Sequence, residues 1–413
     1  MTDLQINGDR LHNNLKQLAH IGRTADGAIS RVAFSDADIE GRVFVKEMMQ
    51  RAGLSVHVDA VGNILGRRDG MDGTLRPILM GSHVDTVPNG GAYDGALGVL
   101  GAIEVVQSLA ENQYETQHPI EAVAWSDEEG GLSGSRGFVG DLSEAELDLA
   151  VPGGFRLGEG INRVGGNAER VGDATRSPSA IAAYLELHVE QGGKLEAEGI
   201  DIGVVTGIVG IRHYAVTLTG TPNHAGTTPM DQRKNALLGG CEFVLAIDRV
   251  IRSIKGTHVG TVGELTVQPG VPNVIPGEVQ LTVELRDLGT EKVEHIWRIL
   301  TSELEVCAAK HGVVSDSAIV HSVTGVVTDR GIQDVITAAA SGLGLSNCLM
   351  PSGAGHDAQN LARIAPTGMV FVPSVGGVSH TRDEYTTPED VEHGTQVLLE
   401  TLLRVDKDIG HGG

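Results

Sequence analysis

Two periods of apolar positions run along this chain, and they change in a definite order. Residues 35–53 carry Ile39, Val43, Val45 and Met48 at helical spacing and stop at Gly53, which predicts an amphipathic helix. Val56-His57-Val58-Asp59 alternates, as a strand does. Pro77-Ile78-Leu79-Met80-Gly81 is a short unbroken apolar run, the pattern of a parallel strand buried on both faces. Leu97, Leu100, Ile103, Val106 and Leu109 return to helical spacing, and residues 120–125 read as another strand. Strand, helix, strand predicts an α/β fold in which crossover helices flank a mixed, mostly parallel sheet.

Residues 150–180 are glycine-rich and polar and read as loops around a short helix, and residues 184–189 are strand-like again. From about residue 211 the pattern changes. His213-Tyr214-Ala215-Val216-Thr217-Leu218-Thr219 alternates strictly, as a half-exposed antiparallel strand should. A helix around 233–252, strands at 258–267 and 278–286 and a helix at 291–311 follow. This β-α-β-β-α order predicts a small α+β sandwich, residues 211–324, inserted into a main domain of residues 1–210 and 325–413. Met369-Val370-Phe371-Val372 is a core strand of the returning segment. No tandem repeat or low-complexity linker interrupts the pattern.

Composition narrows the class. The chain has 413 residues, with 31 Lys and Arg against 54 Asp and Glu, a formal charge of −23. Nucleic acids and anionic membranes select clustered basic charge, so neither is an expected partner. No run is long and apolar enough to span a membrane. Cys241, Cys307 and Cys348 are odd in number and far apart, with no CxxC pair, so neither a thiolate zinc site nor a disulfide framework is indicated. A reducing cytoplasm fits, and Met1-Thr2-Asp3-Leu4-Gln5 lacks the basic-then-apolar order of a signal peptide.

The chemistry lies where apolar runs end. His83 and Asp85 sit two apart after the 77–81 strand, and a ligating histidine commonly gives its second ring N–H to a carboxylate, which suits Asp85. Asp94 precedes Gly95 in the turn that opens the 97–109 helix. It reads either as a helix N-cap or as a carboxylate bridging two cations. Glu128 and Glu129 are adjacent at a strand end, where neighbouring side chains diverge, so one can ligate a metal while the other moves protons. His188 lies in an apolar strand and His380 follows Gly376-Gly377-Val378-Ser379. Each alone reads equally as a hydrogen-bonded structural residue. Together they form a nitrogen and oxygen donor set that suits Zn, Mn or Co.

Four further segments carry groups suited to substrate. They are Asn223-His224-Ala225-Gly226-Thr227-Thr228-Pro229-Met230, Pro272-Asn273-Val274-Ile275-Pro276-Gly277, Leu285-Arg286-Asp287, and Ser352-Gly353-Ala354-Gly355-His356-Asp357-Ala358. Arg286 offers a planar fork to a carboxylate, with a surface ion pair to Asp287 or another acid as the plainer reading. His224 and Asn273 can donate to a developing oxyanion. No glycine-rich phosphate loop is present in the required context.

Leu185-Glu186-Leu187-His188-Val189-Glu190-Gln191-Gly192, His224 to Met230 and Ser352 to Ala358 together resemble the M20 metallopeptidase superfamily, and within it the amidase/hydantoinase/carbamoylase branch. The resemblance runs from about residue 30 to 400. It implies His83, Asp94, Glu129, His188 and His380 as ligands of two divalent ions, with Asp94 between them and Glu128 as general base. It implies substrate contacts from Gln191, His224, Asn273, Arg286, Gly355 and His356, and a homodimer formed through a lid domain. It further implies hydrolysis of the ureido bond of an N-carbamoyl-L-amino acid. Allantoate or β-ureido acids on the same site are the alternative, and di- or aminopeptidase activity is a more distant one. One departure stands out: Gly130 runs through Gly131-Leu132-Ser133 straight to Gly134-Ser135-Arg136, a shorter segment than the branch usually carries.

Overall fold

The computed structural model describes residues 4–152 and 154–409. It divides into two compact units, Met1–Thr206 with Thr328–Gly413, and Gly207–Val327. The strands are β1 (Ser55–Val58), β2 (Ile64–Arg68), β3 (Ile78–His83), β4 (Ile120–Trp125), β5 (Ala183–Val189), β6 (Ile202–Ile208) and β7 (Gly210–Thr219). They continue with β8 (Val259–Gln268), β9 (Glu278–Asp287), β10 (Val314–Val323), β11 (Val326–Val327), β12 (Asn347–Ser352) and β13 (Thr367–Val372).

The larger sheet runs β1-β2-β4-β3-β5-β13-β6-β11, with β12 also on β6. Its centre, β4-β3-β5-β13, is parallel, and the flanking β1–β2, β2–β4 and β13–β6 pairs are antiparallel. Every residue of β3, β4, β5 and β13 is buried. Strands covered on both faces lose the alternation of a half-exposed sheet and read as continuous apolar runs. The helix Ala96–Glu111 is buried on almost all sides, from Ala96 through Val106, Ser108 and Leu109. That matches its apolar residues, which are spread round the whole helix instead of along one stripe.

The second unit is a two-layer sandwich. Its sheet, β10-β7-β9-β8, is antiparallel throughout. Tyr214, Val216 and Leu218 of β7 and Val279, Leu281, Val283 and Leu285 of β9 pack with Phe243, Ile247, Ile296 and Leu300 of the helices Ala236–Ser253 and Thr290–His311. The sheet has one strand more than the sequence pattern indicates. β10 is an edge strand with most residues exposed, so its apolar residues carry no record of an inner face. The helices Gly8–Leu18, Arg330–Gly342 and Pro388–Ile409 also lie outside the sequence assignment. Among the described residues no helix is long and apolar enough to cross a membrane.

Candidate metal centre

The parallel centre of the large sheet brings distant residues to one edge, because the C-terminal ends of parallel strands coincide. His83 is the last residue of β3 and pairs in register with Trp125, the last of β4. Just beyond Trp125, the one-turn helix Glu128–Gly131 presents both glutamates. His188 is the penultimate residue of β5, opposite Phe371 of β13. Asp94 lies in the turn before the helix Ala96–Glu111, and His380 in the segment after β13. Asp127, Leu132, Gln191 and His380 all hold the left-handed backbone that costs a non-glycine residue energy. Such strain concentrates where a site demands a particular aim.

Asp94 is the hub. Its Oδ1 lies 3.4 Å from His83 Nε2 and 3.2 Å from His188 Nε2, and its Oδ2 lies 3.2 Å from His380 Nε2. Glu129 Oε1 is 3.4 Å from His380 Nε2, and Glu128 Oε2 is 3.7 Å from His83 Nε2. Two three-residue groups result, His83–Asp94–His188 and Asp94–Glu129–His380, which share Asp94. His83 Nδ1 faces the Asp85 carbonyl at 3.0 Å and His188 Nδ1 the Val189 carbonyl at 2.9 Å. Carbonyls only accept, so both Nδ1 atoms carry hydrogen, and in the neutral rings Nε2 is a bare lone pair. The Gly95 N–H accordingly points at His188 Nε2, 3.2 Å away. Two lone pairs therefore face Asp94 Oδ1, a buried oxygen without a hydrogen-bond partner. Acceptors this close need positive charge among them, either protons or a cation, so these residues fit divalent metal ions. Glu186, His188 and His356 also cluster. Glu186, however, is occupied by the Ser82 and Tyr184 hydroxyls and the Ala358 N–H.

The electrostatics agree. Among the described residues, the ion pairs of Asp94, Glu128 and Glu129 are all with histidines. Burial pushes Glu129 up to about 7 and Glu128 well above the usual carboxylate range; His83 opposes the rise in Glu128, while Asp357 and Glu129 add to it. Burial and the neighbouring Asp85 carry Asp127 to about 8. Burial works against charge on Asp94, yet His188, His380 and His83 hold it well below the ordinary value. The hydrogen bond to Asp94 lifts His380 to about 9, and Glu129 contributes. Buried carboxylates paired with histidines, as Asp94, Glu128 and Glu129 are, present negative charge that a divalent ion relieves.

Comparison with known proteins identifies the family. The profile of Peptidase family M20/M25/M40 matches residues 79–404. An N-carbamoyl-L-amino acid amidohydrolase of Geobacillus stearothermophilus is 38% identical over 97% of this chain and 99% of its own. The chain belongs to peptidase family M20/M25/M40. An allantoate amidohydrolase of Bacillus subtilis is 35% identical, covering 95% of this chain and 96% of its own. The crystal structure of an amidase of the hydantoinase/carbamoylase family from Burkholderia multivorans superposes with a TM-score of 0.91 at 38% identity, over 98% of this chain and 99% of that one.

In this M20 chain the remaining sequence-derived residues fall as follows. Asp94 is not the helix cap: that position is Gly95, which makes no side-chain cap bond. Asp85 orients His83 through its carbonyl, and its carboxylate instead accepts the Glu128 N–H at 3.3 Å and the Glu129 N–H at 3.1 Å. Gln191 Nε2 donates to Asp94 Oδ2 at 2.7 Å. The ring of His356 lies 4.5 Å from that of His188, its Nε2 bonded to Ser352 at 2.8 Å, in the strand-to-helix turn that includes Gly355. His224, Asn273 and Arg286 belong to the second unit, where the Ala225 N–H donates to the Asn273 carbonyl and holds the first two segments together. Arg286 pairs with Glu284, at 2.8 and 3.2 Å, and not with Asp287, which takes Lys292. Sequence reasoning overlooked Glu384, whose carboxylate accepts the N–H groups of Tyr93 and Asp94. Its only signal was an acid four residues past His380. It also overlooked the buried chain Trp125, Tyr184, Glu186 and Ser82 beneath the site.

Proposed function

We propose that this chain is a metal-dependent amidohydrolase that cleaves the ureido C–N bond of N-carbamoyl-L-amino acids, giving an amino acid, carbon dioxide and ammonia. The M20 family and its amidohydrolase relatives support the reaction class, and the Asp94 hub carries the mechanism. His83, Asp94 and His188 would hold one divalent ion, and Asp94, Glu129 and His380 a second, with Zn, Mn and Co all matching the donors. When bound, the ions supply Lewis acidity, making water more acidic and polarising a carbonyl.

Glu128 is the general base. It is buried beside His83 and favours protonation, so it takes a proton from the attacking water and returns it to the departing nitrogen. Asp85 holds the amides of Glu128 and Glu129 and so aims both side chains. Gln191, Gly355 and His356 contact substrate from the first unit. His224, Asn273 and Arg286 do so from residues 211–324, a lid and homodimer-contact domain, while residues 1–210 and 325–413 form the catalytic domain. Arg286 binds the substrate carboxylate, for which Glu284 is the stand-in. The enzyme works in the cytoplasm.

The test is ammonia release after reconstitution with Zn, Mn or Co, on N-carbamoyl-L- and D-amino acids, N-carbamoyl-β-alanine, allantoate and two dipeptides. Release from N-carbamoyl-L-amino acids, abolished by a chelator, is expected. Turnover of allantoate alone replaces the substrate, and cleavage confined to dipeptides overturns the reading.

A further inference from the structure

Glu384 joins two turns that lie far apart in the chain. It is buried, with 5% of its surface exposed. Its Oε1 accepts the N–H of Tyr93 at 2.9 Å and of Asp94, 290 residues away, at 3.0 Å. Its Oε2 accepts the Ser379 hydroxyl at 2.7 Å, and that hydroxyl oxygen also lies 3.1 Å from Asp94 Oδ2. One carboxylate thus grips the Asp94 turn with one oxygen and the His380 turn with the other. Gly91 clears the space it fills: a Cβ there would stand 2.2 Å from Glu384 Oε1. The His380 turn needs such a grip. His380 has φ 58°, directly after a segment in which Gly376 and Gly377 have φ 65° and 64°. A side-chain-bearing residue keeps that conformation only where its surroundings over-determine it.

We propose that Glu384 is a positioning residue for the second cation pocket. By tying the Asp94 amide to Ser379 it fixes the separation of Asp94 Oδ2 from His380 Nε2, 3.2 Å here, and so sets the affinity for the ion held by Asp94, Glu129 and His380. The inference rests on the two-ion reading above. Groups that orient ligands from behind typically change metal affinity roughly 10- to 100-fold when removed. Glutamine can replace the carboxylate, since its oxygen accepts both amides and its NH2 donates to Ser379, whose own hydrogen then goes to Asp94. Alanine leaves two buried N–H groups unanswered and the His380 turn untied.

Chelator-stripped full-length protein is titrated with Zn(II) or Co(II) against a chromophoric competitor. Wild type is expected to take two ions. Glu384→Ala should bind the first ion unchanged and the second roughly 10- to 100-fold more weakly, while Glu384→Gln keeps both affinities. Two unchanged affinities in Glu384→Ala, or equal weakening of both, overturn the inference. A wild type that takes one ion overturns the two-ion reading and this inference with it. Should Glu384→Ala fail to fold by circular dichroism, Ser379→Ala decides: a severalfold weaker second ion supports the role, and an unchanged one refutes it.

Discussion

A single methyl group at residue 95 tests whether the geometry of the candidate metal centre holds as described. Gly95 has φ 64° and ψ −45°, and a Cβ built there would lie 2.4 Å from Cδ2, Cε1 and Nε2 of His83. Ordinary carbon contacts are about 3.5–4 Å, so either His83 or the start of the helix Ala96–Glu111 must retreat by about 1 Å. The backbone conformation lies outside the left-handed helical region, near the strained classic γ-turn, and costs an L-residue roughly 1–3 kcal/mol, and overpacking a tight core adds roughly 1–3 kcal/mol. Gly95→Ala should therefore destabilise the protein by about 2–6 kcal/mol, lowering Tm by roughly 2–12 °C at about 1–2 °C per kcal/mol for a chain of 413 residues. The displacement falls on the Asp94–His83 distance of 3.4 Å, so activity should drop about 100-fold, the effect of a 1 Å error in a reacting site. Gly73, which has nothing within 4 Å of a built Cβ, is the control, and Gly73→Ala should leave both quantities in place. Scanning calorimetry of the stripped protein gives Tm, and the ammonia assay gives kcat. Wild-type Tm and kcat in Gly95→Ala would refute the packing of His83 against this turn.

Glu128→Gln should cut kcat by roughly 100-fold or more while metal content stays at the wild-type level; near-full activity removes its role as base. Arg286→Ala should mainly raise KM for substrates bearing a carboxylate, and an unchanged KM removes that assignment. The stripped protein should lose stability as pH rises. The folded value of His380 is raised to about 9, so its contribution is full below the unfolded value of 6.5 and gone above 9; His83 and His188 are raised in the same direction. Burial raises Glu129 to about 7, so it also favours the folded state only while protonated. Bound ions replace those protons, so calorimetry from pH 6 to 9.5 should show a falling Tm without metal and a flatter profile with it. Parallel profiles would contradict this.

The cluster around Asp94 was legible because each candidate ligand sits where a sequence signal ends. His83 closes the apolar run of β3, and His188 nearly closes β5. Asp94 and His380 lie beside glycines that permit tight turns. Glu384 was not legible, since its partners are backbone N–H groups, which every residue carries. The engagement of Arg286 could have been read: residues 284 and 286 share a strand face, so the glutamate two positions back was a nearer partner than Asp287 on the opposite face. β10 escaped because an edge strand open on most sides keeps no pattern of burial.

The pairing of β5 with β13 bears on how the chain is made. Thr367 lies opposite Tyr184 in this parallel ladder, so the two strands are 183 residues apart, with the entire second unit synthesised between them. At roughly 5–20 residues per second, β5 leaves the ribosome about ten to forty seconds before its neighbour. Through that interval an apolar strand, buried at every position in the finished protein, has one hydrogen-bonding edge vacant. An open, apolar edge is a template for the wrong strand, so the chain is most exposed to misassembly during its own translation, and chaperone demand should centre on nascent chains that end before residue 367.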